Sequence, residues 1–181
     1  TLHGFKRVVV AEPTLAKGVV AHRGIQTATA VFTGISGHAS EARAFSDNAV
    51  HKAGVWINRS LSWVAEQKQQ VQNLSGLPFN IGTIAGGVKA NMIASNCELK
   101  FGFRTLPGQD AKGVLLSLEK LSDESNNPVI EEGFFGPCLP ASNQNFESSL
   151  SNANELIDLL RIDSGPAVNF WTEASLFSQA G

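Results

Sequence analysis

At 181 residues, 43% hydrophobic and 17% charged, the chain holds enough apolar material for one ordinary core or a domain with an appendage, and no apolar run reaches the roughly 18 to 20 residues of a membrane span. A formal charge of −2 gives no basic field to draw nucleic acid, and Cys97 and Cys138 stand in neither a CxxC pair nor a disulfide framework. These features predict a globular, cytoplasmic protein with no nucleic-acid and no membrane partner; no leader is evident, and the start at Thr1 without methionine reads like an excised piece.

Residues 6–11 (KRVVVA) are a continuous β-branched run, the pattern of a strand buried on both faces. Glu12 follows at its carboxyl end, where α/β enzymes place catalytic groups, although a solvated loop glutamate fits the same pattern. His22, Arg23 and Gly24 interrupt the next stretch as a turn or bulge, and His22 and Arg23 read as surface or structural residues. From Ile25 to Thr33 apolar and polar residues alternate, with Ala28, Ala30 and Phe32 on one face. The loop TGISGHAS then places His38 between a strand and a helix, with Gly34 and Gly37 expected at positive φ to aim the imidazole outward. Such an imidazole could donate to a developing oxyanion; spacing alone equally allows a loop histidine that packs and bonds to the backbone.

Ser46, Asp47 and Asn48 offer caps for a helix whose stripe is Ala49, Ala53, Trp56, Ile57, Leu61 and Val64, with Trp56 and Trp63 in or beside the core. Residues 67–73 fray towards Gly76 and Pro78, and a strand runs over residues 79–84. Residues 97–104 alternate most cleanly: Cys97, Leu99, Phe101 and Phe103 inward, Glu98, Lys100, Gly102 and Arg104 outward. Asp110 caps a second helix carrying Val114, Leu115, Leu118 and Leu121, and residues 128–135 form a further strand. The order strand, helix, strand, strand, helix, strand predicts an α+β fold, a ferredoxin-like βαββαβ sandwich with a four-stranded antiparallel sheet and two helices on one face. After a loop around GPCLP come a third helix, bearing Phe146, Leu150, Ala153, Leu156, Ile157 and Leu160, and a buried strand at 167–171. The outward residues of the sharpest strand do not make the exposed aromatic platform of an RNA-binding sheet.

In order, VAEPT at Glu12, AHRGI at His22, GHAS at His38, FNIG at Phe79, GGVKANMIA, ELKFGFR ending at Arg104, GPCLP and VNFWTEASLF cover nearly the whole chain. Together they resemble the metal-dependent amidohydrolases of the M20 peptidase family, in the branch of acetylornithine deacetylase and succinyl-diaminopimelate desuccinylase. The resemblance implies that residues 18–135 are a lid and dimerisation domain, and that residues 1–17 and 136–181 are fragments of an α/β zinc-hydrolase domain. It implies a catalytic role for His38 as oxyanion donor, in several relatives across a dimer. Asn91 and Arg104 would hold the substrate carboxylate, Thr172 and Glu173 would lie near the substrate, and Glu12 would bind one of two Zn2+ ions, replaceable by Co2+. Many relatives have Asp at the position of Glu173.

The implied partners are an N-acetylated amino acid, acetylcitrulline or acetylornithine of arginine biosynthesis, and a second copy of the chain. Because the family's other metal ligands fall outside Thr1 and Gly181, the resemblance also implies that this polypeptide alone is inactive. Two further functions fit: a non-catalytic dimerisation or ligand-binding module, and a succinyl-diaminopimelate desuccinylase activity in the intact protein.

Overall fold

The computed structural model describes residues 7–122 and 127–180; His3, and Lys6 at the head of the first expected strand, lie outside them. In chain order the elements are β1 (Ile25–Thr33), β2 (Gly37–His38), α1 (Ala49–Ala65), β3 (Gln70–Val71), β4 (Leu74–Ser75), β5 (Phe79–Gly86), β6 (Met92–Ile93), β7 (Asn96–Phe103), α2 (Ala111–Glu119), β8 (Val129–Gly136), α3 (Phe146–Leu160) and α4 (Ala174–Ala180). A one-turn 3-10 helix, Ala42–Ala44, lies between β2 and α1.

The main sheet has the order β5-β7-β1-β8, antiparallel throughout, which is the expected split βαββαβ arrangement. Its long central strands alternate as their residues dictate. Ala28, Ala30 and Phe32 of β1 and Cys97, Leu99, Phe101 and Phe103 of β7 are buried on one face, under α1 and α2. Trp56 of α1 is fully enclosed there. It packs on Phe32 and Phe101 with ring centroids 6.1 and 5.2 Å away, and its Nε1 donates to Leu118 O at 3.1 Å.

Local chemistry starts α1, α2 and α3. The side chain of Asn48 accepts from the amides of Val50 and His51, that of Asp110 from Lys112 and Gly113, and that of Asn145 from Ser148.

Several expectations are corrected. Residues 7–11 form no strand, and Val9 is 68% exposed, because a run meant to be covered on both faces finds no neighbouring strand among the described residues. Residues 167–171 make only an isolated parallel bridge, Val168 to His22, for the same reason. Leu61 is 52% exposed; Ser60 takes the buried position on α1, since the stripe advances by four, three and four residues from Ala49. Leu160 of α3 also faces out, leaving Ile157 as the buried residue of that helix. The segment expected to fray after α1 closes instead into the β3–β4 hairpin, with Gln72 at φ 53° and Gly76 at φ 64°.

Candidate functional site

His38 sits on a two-residue ribbon, β2 paired with β6, opposite Met92. The amide of Ala39 donates to Asn91 O at 3.0 Å, so His38 and Asn91 share one exposed edge beyond the carboxyl end of β1. Gly34 and Gly37 do not serve this turn through positive φ, which among the described glycines is confined to Gly76, Gly87 and Gly108. They serve it through close approach. A Cβ at Gly34 would strike the carbonyls of Asp47 and Ala94, and one at Gly37 would strike Arg43 and Glu41.

The turn is pinned by side chains that the sequence patterns left unremarked. The His38 amide donates to Glu41 Oε1 at 2.6 Å. Arg43 grips the other carboxylate oxygen at 2.9 Å, reaches Asp47 at 3.3 Å, and donates to the carbonyls of Ile35 and Ser36, each at 3.0 Å. The amide of His38, then the Arg43 guanidinium, hold the Glu41 carboxyl below its usual range. On the ring itself, Nδ1 lies 2.8 Å from Ser40 Oγ and accepts from the Ser40 amide at 3.3 Å. A sequence signal for these residues exists: a serine two positions after the histidine, and an arginine two after Glu41 and four before Asp47, all within reach of their own loop.

Arg104 lies at the other end of the sheet, directly after β7, and lines a groove of about 520 Å3 on the helix-free face with Thr27, Asn80 and Lys100. Its backbone is anchored by Arg23. That guanidinium is buried and donates to Ser75 O (2.6 Å), Gly76 O (2.9 Å), Arg104 O (3.4 Å) and Asn169 Oδ1 (2.9 Å). Neither Arg23 nor His22 is a surface residue. A buried guanidinium needs its donors paired, three backbone carbonyls and the Asn169 side chain pair them here, and the two residues knit the start of β1 to the segment at 167–172.

His22 Nδ1 faces Arg23 O at 2.8 Å, and Nε2 faces Thr172 Oγ1 at 3.2 Å. Because a carbonyl can only accept, Nδ1 carries the proton and the Thr172 hydroxyl donates to Nε2. Burial holds the His22 imidazole below its ordinary pKa of 6.5. Glu12, His22 and Thr172 line one cleft of about 570 Å3, floored by Leu139, Leu156 and Val168. Glu173 is exposed at the start of α4 and is not among the cleft residues.

The structure therefore divides the predicted residues between the two ends of the sheet, with Arg104 in a groove separate from the cleft of Glu12 and Thr172. Seven register steps separate the pair Thr33–Asn96 from the pair Gln26–Phe103, about 23 Å at ~3.3 Å per residue. Arg104 lies at the end of the sheet that meets the cleft of Glu12 and Thr172; His38 and Asn91 lie at the opposite end.

These residues do not make a metal centre by themselves. Among the described residues Glu12 is the one carboxylate lining the cleft, both nitrogens of His22 are engaged, and no three His, Cys, Asp or Glu side chains cluster to hold an ion.

A peptidase dimerisation domain, that of M20 peptidases, matches residues 20–129. The chain belongs to the M20 family. It is 42% identical over 179 residues to the N-acetyl-L-citrulline deacetylase of Xanthomonas campestris pv. campestris, covering 98% of this chain and 49% of that protein. It is 29% identical over 182 residues to the acetylornithine deacetylase of Edwardsiella ictaluri, covering 94% and 45%. The chain thus spans about half the length of these curated M20 relatives.

Among solved structures, aminopeptidase PepT from Bacillus cereus superposes with a TM-score of 0.65 at 14% identity, covering 94% of this chain and 45% of that one. A hydantoinase/carbamoylase family amidase from Burkholderia ambifaria superposes with a TM-score of 0.56 at 12% identity, covering 90% and 39%. At such identities the M20-type fold is what is shared. No helix among the described residues is long and apolar enough to cross a membrane.

Proposed function

We propose that this chain is the lid and dimerisation part, with adjoining catalytic segments, of a cytoplasmic amidohydrolase that removes the acetyl group from an N-acetylated amino acid. Acetylcitrulline or acetylornithine, on the route to arginine, is the substrate we favour, on the strength of the 42% identical relative. In the net reaction water adds to the amide carbonyl, the C–N bond breaks, and acetate and the free amine leave.

The observation that carries the reading is the His38 turn: an exposed imidazole on a clamped ribbon, beside Asn91, with Nδ1 turned inward and Nε2 left to meet a ligand. Its part is to donate to the oxygen that gains charge as the carbonyl becomes tetrahedral. Arg104 pairs with the substrate's unreactive carboxylate, for which a planar guanidinium is suited, and Asn91 assists at the His38 end. Thr172 and Glu173 border the substrate, Glu173 from outside the cleft. In the intact protein two Zn2+ ions, replaceable by Co2+, are proposed, with Glu12 the single candidate ligand from this cleft.

The separation of about 23 Å between the two ends of the sheet exceeds the reach of one amino-acid substrate, so a single copy does not apply both His38 and Arg104 to it. A homodimer joined through the domain at 20–129 supplies them from different copies. The test is steady-state hydrolysis of acetylcitrulline, acetylornithine and succinyl-diaminopimelate by the intact protein. Acetyl substrates should be cleaved with the higher kcat/KM; preference for the succinylated amine, or no amide cleavage at all, would overturn the reading.

A further inference from the structure

Three histidines lie among the described residues, and their rings meet the backbone in two opposite ways. His22 Nδ1 faces the carbonyl of Arg23 at 2.8 Å and His51 Nδ1 faces the carbonyl of Phe45 at 3.2 Å. A carbonyl accepts and never donates, so both rings carry their proton on Nδ1 when neutral. His38 alone meets a backbone donor. The amide of Ser40 points at its Nδ1 at 3.3 Å, and Ser40 Oγ lies 2.8 Å from the same nitrogen. An amide N–H cannot accept, so a proton on Nδ1 would face another proton; the neutral ring is left with its hydrogen on Nε2.

We propose that Ser40 is a positioning residue that fixes His38 as an Nε2–H donor. The inference rests on the reading of His38 as the group that meets the oxyanion. A donor of this kind must present N–H, and the tautomer with a bare Nε2 would turn a lone pair towards developing negative charge. Ser40 removes that tautomer before substrate arrives.

The turn that holds Ser40 in place is closed on both sides. The Glu41 amide donates to His38 O at 3.0 Å, the His38 amide donates to the Glu41 carboxylate, and the Ala39 amide donates to Asn91 O. The ring and the Ser40 amide therefore cannot drift apart without opening the clamp. Ser40 Oγ adds the adjustable part, because a hydroxyl follows whichever nitrogen state the ring adopts and here sits beside an amide that allows only one.

Long-range 1H–15N spectra of the 15N-labelled protein in alkaline buffer, where imidazole is neutral, read the tautomer of each histidine directly. His38 is expected as Nε2–H, with His22 as Nδ1–H in the same spectrum as an internal reference. Ser40→Ala keeps the amide and should leave His38 as Nε2–H, whereas Ser40→Pro removes the amide and should lower the tautomer ratio by about threefold to tenfold, the population equivalent of one ordinary hydrogen bond. In the intact enzyme Ser40→Pro should lower kcat by a comparable factor with KM unchanged and the melting temperature recorded beside it.

A His38 ring found as Nδ1–H overturns the positioning role together with the donor reading of His38, whereas a ratio unmoved by Ser40→Pro overturns the positioning role alone. A ratio that shifts while kcat stays at the wild-type value overturns both that role and the reading of His38 on which it rests.

Discussion

In the proposed mechanism His38 and Arg104 meet different charges, and their substitutions should fail differently. His38 is proposed to act on charge that exists only in the transition state. His38→Ala in the intact enzyme should lower kcat and kcat/KM together by roughly 100-fold or more, with KM nearly unchanged. Arg104 is proposed to pair with a carboxylate present throughout, so Arg104→Ala should chiefly raise KM, at a loss of about 2 to 4 kcal/mol for a desolvated pair. Steady-state kinetics beside melting temperatures separate these outcomes from simple unfolding.

His22 titrates in folding instead. Its folded-state pKa is depressed by burial, so the unfolded chain binds the proton better. The stability it contributes is fully present above its ordinary pKa of 6.5 and is lost as pH falls through the folded value. The melting temperature of the protein should drop on acidification below 6.5, and His22→Asn should remove part of that slope. At this scale motifs marked His38 and Arg104 as candidates. Arg23 was not legible, because most of its partners are backbone carbonyls that a residue pattern does not display, and Ser40 and Arg43 showed only through their spacing from His38, Glu41 and Asp47.

Among the elements, the central strands and their helices followed from alternation and capping, since both report a face that must be covered. Trp56 closes that core, and Trp56→Ala should cost about 3 to 5 kcal/mol in chemical denaturation. The short ribbons β2–β6 and β3–β4 were not legible: two residues carry no period, and their geometry is set by Glu41, Arg43 and the left-handed residues Gln72 and Gly76.

The clamp on β2 has its own pH dependence. The Glu41 carboxyl is depressed by the His38 amide and by Arg43, so the clamp's contribution is present above the ordinary carboxylate pKa and is lost as pH falls through the lowered value. The exchange protection factors of His38 and Ala39, taken relative to the intrinsic rate at each pH, should fall on acidification before those of β1 and β7, and Glu41→Ala should lower them at neutral pH. Exchange at residues 8–11 should be fast throughout, since they belong to no sheet, while β1 and β7 stay protected.

For the whole molecule, the flanking strands expected at 6–11 and 167–171 were misread for a physical reason. A buried-strand composition states what a segment needs around it, and among the described residues neither segment has a strand on both sides. The same layout places Arg104, Glu12 and Thr172 at one end of the sheet and His38 at the other, so the account requires two copies to build one site. Co-expression of His38→Ala with Arg104→Ala tests this most directly. A mixed dimer holds one site with both residues intact and one with neither. Random pairing of the two variants should therefore restore about one quarter of wild-type activity, although each variant alone is impaired. Activity no higher than the mean of the two separate variants, with mixed dimers demonstrably formed, would place His38 and Arg104 in the same copy's site and contradict the account.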